Sequence, residues 1–390
     1  MKESSIQVVL SDIERVLFAK RPENDVDLKL EKVLGALELL GNPQDDFKAI
    51  HITGTNGKTS TTKFIAAGLE SLGYKTATFT SPHLKKVTER MTINSMAISD
   101  EEFVDLYLRV AKTIEPSTLS FFEYLVVLAF KWFSEQKVDY AVVEVGLGGR
   151  YDATNVLGQK VAAVFTPIDI DHTQFLGNTI EEIAHEKAGI IKPGVQVFSA
   201  PQVDAVSKIL NKESPLESIF YIKIVDGTYL EQNKALAKAV VEGVTGRILA
   251  QNALDVQVQG RLQKVGTSPD VIIDAAHNPH GAKGLVEALK SFNYPEVVAV
   301  VMQYTDKETA GFLEILAVSV DKIVCTTSGG DRSRTPQELA DIAVNYKDSD
   351  SVLVAKDVQQ AVELAKQMAS KSGLVLVTGS VAGIGQLCDF

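Results

Sequence analysis

Lys48-Ala49-Ile50-His51-Ile52-Thr53-Gly54-Thr55-Asn56-Gly57-Lys58-Thr59-Ser60-Thr61-Thr62-Lys63-Phe64-Ile65-Ala66-Ala67-Gly68-Leu69, residues 48–69, joins an apolar run to a helical pattern through a glycine loop. Strand, glycine loop and helix start together aim backbone N–H groups and a helix N-terminus at an anion, so this loop is read as a phosphate cradle. Lys58 is placed to reach the outer phosphates, and the Thr59 hydroxyl to lie near a metal ion or a phosphate oxygen. The first glycine stands closer to Gly57-Lys58 than in G-x-x-x-x-G-K-[ST], so the loop is a shorter variant of that motif. An ordinary βα turn with a solvated lysine is the plainer alternative. The loop predicts that a nucleotide is handled but not what it drives.

Outward from the loop, short β-branched runs alternate with helical patterns. The runs lie at 49–53, 76–80, 140–145, 161–167 and 195–200, with helical stretches at 62–72, 100–113, 122–136 and 179–190 between them. This alternation predicts an α/β fold with a mostly parallel, doubly wound sheet and ligands at the strand C-terminal ends. Such a sheet puts the glycine loop, Ser81, Glu144 and Asp171-His172 on one rim, because each directly follows a strand. A second βα series has strands at 271–274, 297–302, 322–326, 351–355 and 374–378. The predicted domains are 1–256, a hinge at 257–269 marked by Gly and Ser-Pro turn signals, and 270–390.

A chain of 390 residues is too long for one ordinary core, which agrees with two domains. The formal net charge of −11 argues against nucleic acid or an anionic membrane as the main partner, while leaving anionic small substrates open. Cys325 and Cys388 form no C-x-x-C pair and read as reduced packing thiols. The N-terminus leads into an amphipathic pattern rather than a signal sequence, and no apolar run approaches a membrane span. The expected location is the cytoplasm.

Further motifs follow the loop. Thr80-Ser81-Pro82-His83-Leu84 ends a strand, and Glu89-Arg90-Met91-Thr92-Ile93-Asn94 follows as a helix-free stretch. Val143-Glu144-Val145-Gly146-Leu147-Gly148-Gly149-Arg150 ends another strand, as does Asp171-His172-Thr173-Gln174-Phe175-Leu176-Gly177. Glu186-Lys187-Ala188-Gly189-Ile190-Ile191-Lys192 lies on the next helix; Gly260-Arg261-Leu262 and Asp274-Ala275-Ala276-His277-Asn278-Pro279 belong to the second half. Phosphoryl transfer needs metal ions on the phosphates, a cation at the γ-phosphate and fixed donors. Glu144 points to function, because a carboxylate in an apolar strand is expensive to bury without a cation. His172 alone reads as a core histidine, since imidazole is an unusual ligand for Mg²⁺.

Taken in order, these motifs resemble the folylpolyglutamate synthase/dihydrofolate synthase family of the ATP-dependent Mur ligases, from about Asp25 to the C-terminus. The resemblance implies a P-loop ATPase domain of Mur-ligase type and a smaller Rossmann-like C-terminal α/β domain for glutamate ligation. It implies an ATP-dependent acid–amino-acid ligase that phosphorylates a carboxylate and lets the amine of glutamate attack the acyl phosphate. Gly54, Thr55, Asn56, Gly57, Lys58, Thr59 and Ser60 would hold ATP; Ser81, Glu144 and His172 would hold a first Mg²⁺. Lys187 matches the family lysine that is carbamylated and helps hold a second metal, which requires a locally neutral amine. Arg261 matches the arginine at the γ-phosphate, and Asp274 and His277 the pair facing acyl phosphate and glutamate. Asn233 fits the asparagine near adenine, and Phe122, Glu123 and Arg90 fall on the pterin side. A monomer is expected by the same resemblance, with folate or pteroate, L-glutamate and ATP as its small-molecule partners.

The chain departs from the family pattern at four places. Thr59 stands where the folate enzymes usually carry glycine, as in the peptidoglycan members. Tyr229 and Leu230 replace the His-Gln of the adenine-side motif. Ala275 replaces the glycine of Asp-Gly-Ala-His, and Val258-Gln259 replaces the Trp-Pro before Gly260-Arg261. Two substrate classes therefore stay in view: a folate, or a cell-wall precursor or other poly-acid. A catalytically silent nucleotide-binding scaffold is the third reading, opposed by Lys58, Glu144, His172, Lys187 and His277.

Overall fold

The computed structural model describes residues 3–20, 30–214 and 218–388; residues 21–29, where the resemblance begins near Asp25, lie outside the described residues. The chain divides into two compact units, Met1–Val225 with Gln232–Val256, and Asp226–Glu231 with Gln257–Phe390. The sequence reading put 226–231 in the first part; this short segment, the start of the Tyr229–Thr245 helix, groups with the second unit.

The first unit is built on an eight-stranded sheet: β1 (Lys48–Thr53), β2 (Thr76–Phe79), β3 (Met91–Ile93), β4 (Met96–Ala97), β5 (Tyr140–Glu144), β6 (Lys160–Phe165), β7 (Gln196–Ser199) and β8 (Ile219–Tyr221). Their order is β4-β3-β2-β5-β1-β6-β7-β8. All neighbours run parallel except β2·β3 and β3·β4. β1 is almost wholly buried between β5 and β6, as expected for a central parallel strand covered on both faces. Because parallel strands end on the same rim, the segments after β1, β2, β5 and β6 emerge together. One apolar cluster is centred on the Phe121–Glu135 helix; another packs Phe165, Ile183, Ile190 and Leu210. The former helix is apolar nearly all round, so it sits in the core rather than on the surface.

Two edge elements differ from the sequence reading. The stretch taken as helix-free from Glu89 opens inside a 3-10 turn, Val87–Arg90, before β3 begins. Short antiparallel edge strands carry too few residues for an alternation to register, which is why β3 and β4 escaped notice.

The second unit holds a six-stranded sheet: β9 (Gln263–Gly266), β10 (Asp270–Asp274), β11 (Val297–Val301), β12 (Lys322–Cys325), β13 (Val352–Val354) and β14 (Leu374–Thr378). The order is β13-β12-β11-β14-β10-β9, with only β9 antiparallel. β9 falls inside 257–269, so part of the segment read as a hinge is an edge strand. Cys325 and Cys388 are both buried free thiols. Among the described residues no helix is long and apolar enough to cross a membrane.

Candidate active site

The glycine loop has the geometry its sequence requires. Gly54 sits at φ +149°, and a Cβ there would lie 1.9 Å from Thr166 Oγ1 and 2.9 Å from the Thr166 carbonyl oxygen. Gly57, at φ +88°, precedes the Lys58–Ser71 helix, and no side chain caps that helix start. Helix N-termini left this way offer backbone donors to an anion. A Cβ on Gly57 would stand 2.7 Å from Asn233 Oδ1, so Asn233 rests directly on the loop. Asn233 Nδ2 and Ser60 Oγ are buried without a hydrogen-bond partner, two polar atoms at the loop that a bound ligand could satisfy. Replacing Gly54 by alanine forces a strained φ and a clash with the backbone of Thr166. We expect a loss of about 1–3 kcal/mol or more in denaturant unfolding and at least tenfold weaker ADP binding. An unchanged midpoint and affinity would show that the loop relaxes freely.

Two amines meet at this loop. Lys58 Nζ donates to the carbonyls of Gly54 (3.1 Å) and Thr55 (3.0 Å), and buried Lys187 Nζ donates to the same Gly54 carbonyl at 2.9 Å. Burial, together with the Lys58 cation, lowers the Lys187 amine to about 7, with Asp171 and Asp152 opposing. The expected neutral amine is therefore available near neutral pH. Lys58, Lys187, Asp171 and His172 line one pocket with the Thr53–Thr55 and Val145–Gly148 segments.

Glu144 ends β5 with 1% of its surface exposed. Thr59 Oγ1 lies 3.1 and 3.0 Å from its two carboxylate oxygens, and the Ser81 N–H donates to Oε2 at 3.3 Å. The residue that departs from the folate pattern thus touches the carboxylate assigned to the metal. His172 follows β6 in a left-handed conformation, with 40% of its side chain exposed and Nε2 3.9 Å from Asp171 Oδ2. The core-histidine reading does not describe it. The four assigned metal residues reach one rim as two groups, Glu144 with Ser81, and His172 with Lys187. Carboxylate and hydroxyl oxygens suit a hard divalent cation, and the imidazole widens that choice towards softer ions. No cluster of three or more His, Cys, Asp or Glu side chains is gathered for a metal among the described residues.

On the expected substrate side, Phe122 lies against the turn after β5, where a Cβ on Gly146 would meet its ring at 2.4 Å. Glu123 has a different task from the one expected. Its carboxylate accepts from Ser120 N at 2.7 Å and closes the capping box of its own helix. Arg90 is 1% exposed and donates to His83 Nδ1 at 3.0 Å, with its guanidinium over the Phe121 ring. Burial and that guanidinium hold His83 down at about 3, so it is neutral. Arg90 is therefore buttressing for His83 rather than an open ligand contact.

In the second unit, Asp274 ends β10 with Oδ2 accepting from Tyr229 Oη and Leu262 N, and Oδ1 from Ala276 N at 2.9 Å. Tyr229, the departure from the adenine-side motif, is thus a partner of Asp274. Burial and that carboxylate push its hydroxyl well above the usual phenol range, so it stays a donor. His277 Nδ1 lies 2.9 Å from the Ala275 carbonyl. A carbonyl only accepts, so Nδ1 carries a proton and is the donor in this bond. Arg261 Nη1 donates to the Gly260 carbonyl at 3.0 Å.

The sequence reading placed Asp171 on the rim without a role and did not single out Asp152. Asp171 lines the pocket beside Lys187. Buried Asp152 holds the turn after β5 by accepting from Leu147 N and Thr154 N, both at 2.9 Å. Asp152 lies just past the 143–150 string, and nothing local marks it as buried.

Comparison with known proteins matches residues 52–221 to the Mur ligase middle domain and 260–381 to the Mur ligase, glutamate ligase domain. A dihydrofolate synthase/folylpolyglutamate synthase of Mycobacterium tuberculosis is 33% identical across 96% of this chain and 92% of its own length. A solved Mycobacterium tuberculosis folylpolyglutamate synthase complexed with ADP superimposes with a TM-score of 0.90 at 32% identity, covering 98% of each chain. An Escherichia coli FolC structure in complex with DHPP and ADP gives a TM-score of 0.87 at 27% identity, over 97% of this chain and 96% of that one. A bifunctional folylpolyglutamate synthase/dihydrofolate synthase with Mn, AMPPNP and L-glutamate bound gives 0.85 at 28%, over 97% of each chain.

Proposed function

The chain belongs to the dihydrofolate synthase/folylpolyglutamate synthase family of Mur ligases, and on that premise we propose that it joins L-glutamate to a folate at the expense of ATP. The substrate is dihydropteroate, a reduced folate, or both. The observation that carries this reading is the convergence of Lys58 and Lys187 on the Gly54 carbonyl, beside Asp171 and His172 in one pocket.

In the first step a substrate carboxylate oxygen attacks the γ-phosphorus and ADP leaves, giving an acyl phosphate. The Gly54–Ser60 loop and Lys58 hold the phosphates, with Asn233 seated on Gly57 at the nucleotide. Ser81, Glu144 and His172 would hold one Mg²⁺ and a carbamylated Lys187 would help hold a second; such ions would neutralise phosphate charge. In the second step the glutamate amine attacks the acyl carbon and phosphate leaves. Arg261 serves the γ-phosphate, Asp274 orients the site through Tyr229 and Leu262, and His277 Nε2 takes the proton from the amine. Phe122 lies on the pterin side, with His83 held by Arg90. Residues 1–256 carry the ATP chemistry, 257–269 link the parts, and 270–390 carry the glutamate end. The working form is a cytoplasmic monomer with no nucleic-acid or membrane partner.

A cell-wall-type ligase is the alternative, and the identity of Thr59, the residue of the peptidoglycan members at this loop position, leans towards it. The test offers dihydropteroate, tetrahydrofolate and a UDP-linked peptide separately, each with ATP and L-glutamate, and weighs the products. We expect one added glutamate with ADP release on at least one pterin. Product from the UDP-peptide alone favours the alternative, and no amide from any acceptor sinks the ligase reading.

A further inference from the structure

The helix that carries Lys187, Ile180–Ala188, ends in carbonyls that it cannot satisfy itself. Arg150, from the turn after β5, reaches two of them, while Asn155 and Lys160 reach the two carbonyls just beyond the helix. Arg150 N donates to the Glu186 carbonyl at 2.8 Å and Arg150 Nη2 to that of His185 at 3.1 Å. Asn155 Nδ2 donates to the carbonyls of Gly189 (3.1 Å) and Arg150 (2.9 Å). Lys160 Nζ donates to the Ile190 carbonyl at 2.9 Å and to Asn155 Oδ1 at 3.0 Å. The approach is so close that a Cβ on Gly149 would stand 2.8 Å from the Lys187 carbonyl oxygen.

Lys160 is the unexpected member. It is buried at the start of β6, a strand whose far end leads to Thr166 against Gly54. A buried amine is expensive, and burial with the neighbouring Lys192 lowers this one to about 7. Its two acceptors, and the negative end of the helix dipole, are what favour an amine over an apolar side chain there. A bare packing role would be served as well by methionine.

We propose that Lys160 and Asn155 are positioning residues that fix the Lys187 amine at the glycine loop by holding the Gly189-Ile190 turn that ends its helix. This rests on the reading that Lys187 serves the metal–nucleotide site, and the experiment separates the two. AMPPNP is titrated calorimetrically into the full-length protein with and without Mn²⁺. The proteins are wild type, Lys160→Met, Asn155→Ala, Lys187→Met and the Lys160→Met/Lys187→Met double variant. Lys160→Met is expected to weaken the Mn²⁺-dependent part of binding about tenfold, in line with changes to the groups that orient metal ligands. Asn155→Ala should weaken it severalfold, and metal-free binding should be unaffected in both. Lys187→Met should weaken that part at least about tenfold, leaving the share due to the first metal, and adding Lys160→Met to it should change nothing beyond about twofold, since the two act in series. Binding by Lys160→Met within twofold of wild type overturns the proposal while leaving the role of Lys187 standing. An equal loss on both backgrounds also overturns it, as the mark of a general structural effect. Retention of the Mn²⁺-dependent part by Lys187→Met removes the reading of Lys187 and the proposal together. Should Lys160→Met not fold, Asn155→Ala, alone and with Lys187→Met, carries the same comparison.

Discussion

Lys187→Met is expected to lower kcat by about a thousandfold, ~4 kcal/mol of transition-state stabilisation, with the KM for ATP changed much less. The side chain is buried, its amine rests on the Gly54 carbonyl, and Lys58 donates to the same oxygen. Methionine fills similar space without the nitrogen, so the proposed carbamate, and the metal ligand it would supply, cannot form. The wild-type amine sits near 7, which gives the pH dependence a sign. Only the neutral amine reacts with CO₂. Protein stripped of CO₂ should therefore regain activity, at a fixed concentration of dissolved CO₂, faster as pH rises through about 7, with a plateau above. Stability has its own sign. The folded amine is lowered from its ordinary 10.5 to about 7, so between these values the unfolded chain binds more protons and Lys187 makes stability rise with pH. Lys187→Met removes that slope, and its thermal midpoint should equal or exceed that of wild type at pH 7. Steady-state kinetics and thermal melts check both parts; a variant with wild-type kcat would end the assignment of Lys187 to the site.

Glu144→Gln should separate activity from stability in the same way. The carboxylate is buried at the end of β5, facing the Thr59 hydroxyl and the Ser81 N–H. Glutamine keeps the shape and one acceptor oxygen but removes the charge, and with it an anionic ligand for a divalent cation. We expect kcat to fall by at least about a hundredfold, ~2.7 kcal/mol, and the metal concentration for half-maximal activity to rise. The metal-free fold should be no less stable, because a buried charge opposes folding more than a neutral amide does. Melting in chelator and metal titrations of activity supply the two readouts. Lost stability with unchanged metal dependence would make Glu144 a structural residue.

The arginine and glutamate expected on the substrate side show where sequence reading stops. Arg90 and Glu123 carry charges that a motif places near a ligand, yet one lies buried against His83 and the other closes a helix cap. Ser120 three residues before Glu123 does spell a capping box in the sequence. Asn233 went the other way: its motif was the most altered, yet its side chain rests on Gly57. Lys160 left no mark in the sequence, since its partners Asn155 and Ile190 are met only through folding.

The sequence by itself determined the alternating strands and helices, the glycine loop, and the shared rim for the segments after β1, β2, β5 and β6. Local periodicity and the common direction of parallel strands suffice for these, because each depends on neighbours in the chain. Tertiary structure alone decided how the rim works. It set two lysines on one carbonyl, laid Thr59 on Glu144, paired Tyr229 with Asp274, and buried the amines of Lys187 and Lys160. Burial and the meeting of distant charges fix pKa values and hydrogen-bond partners, and both depend on groups that lie far apart along the chain.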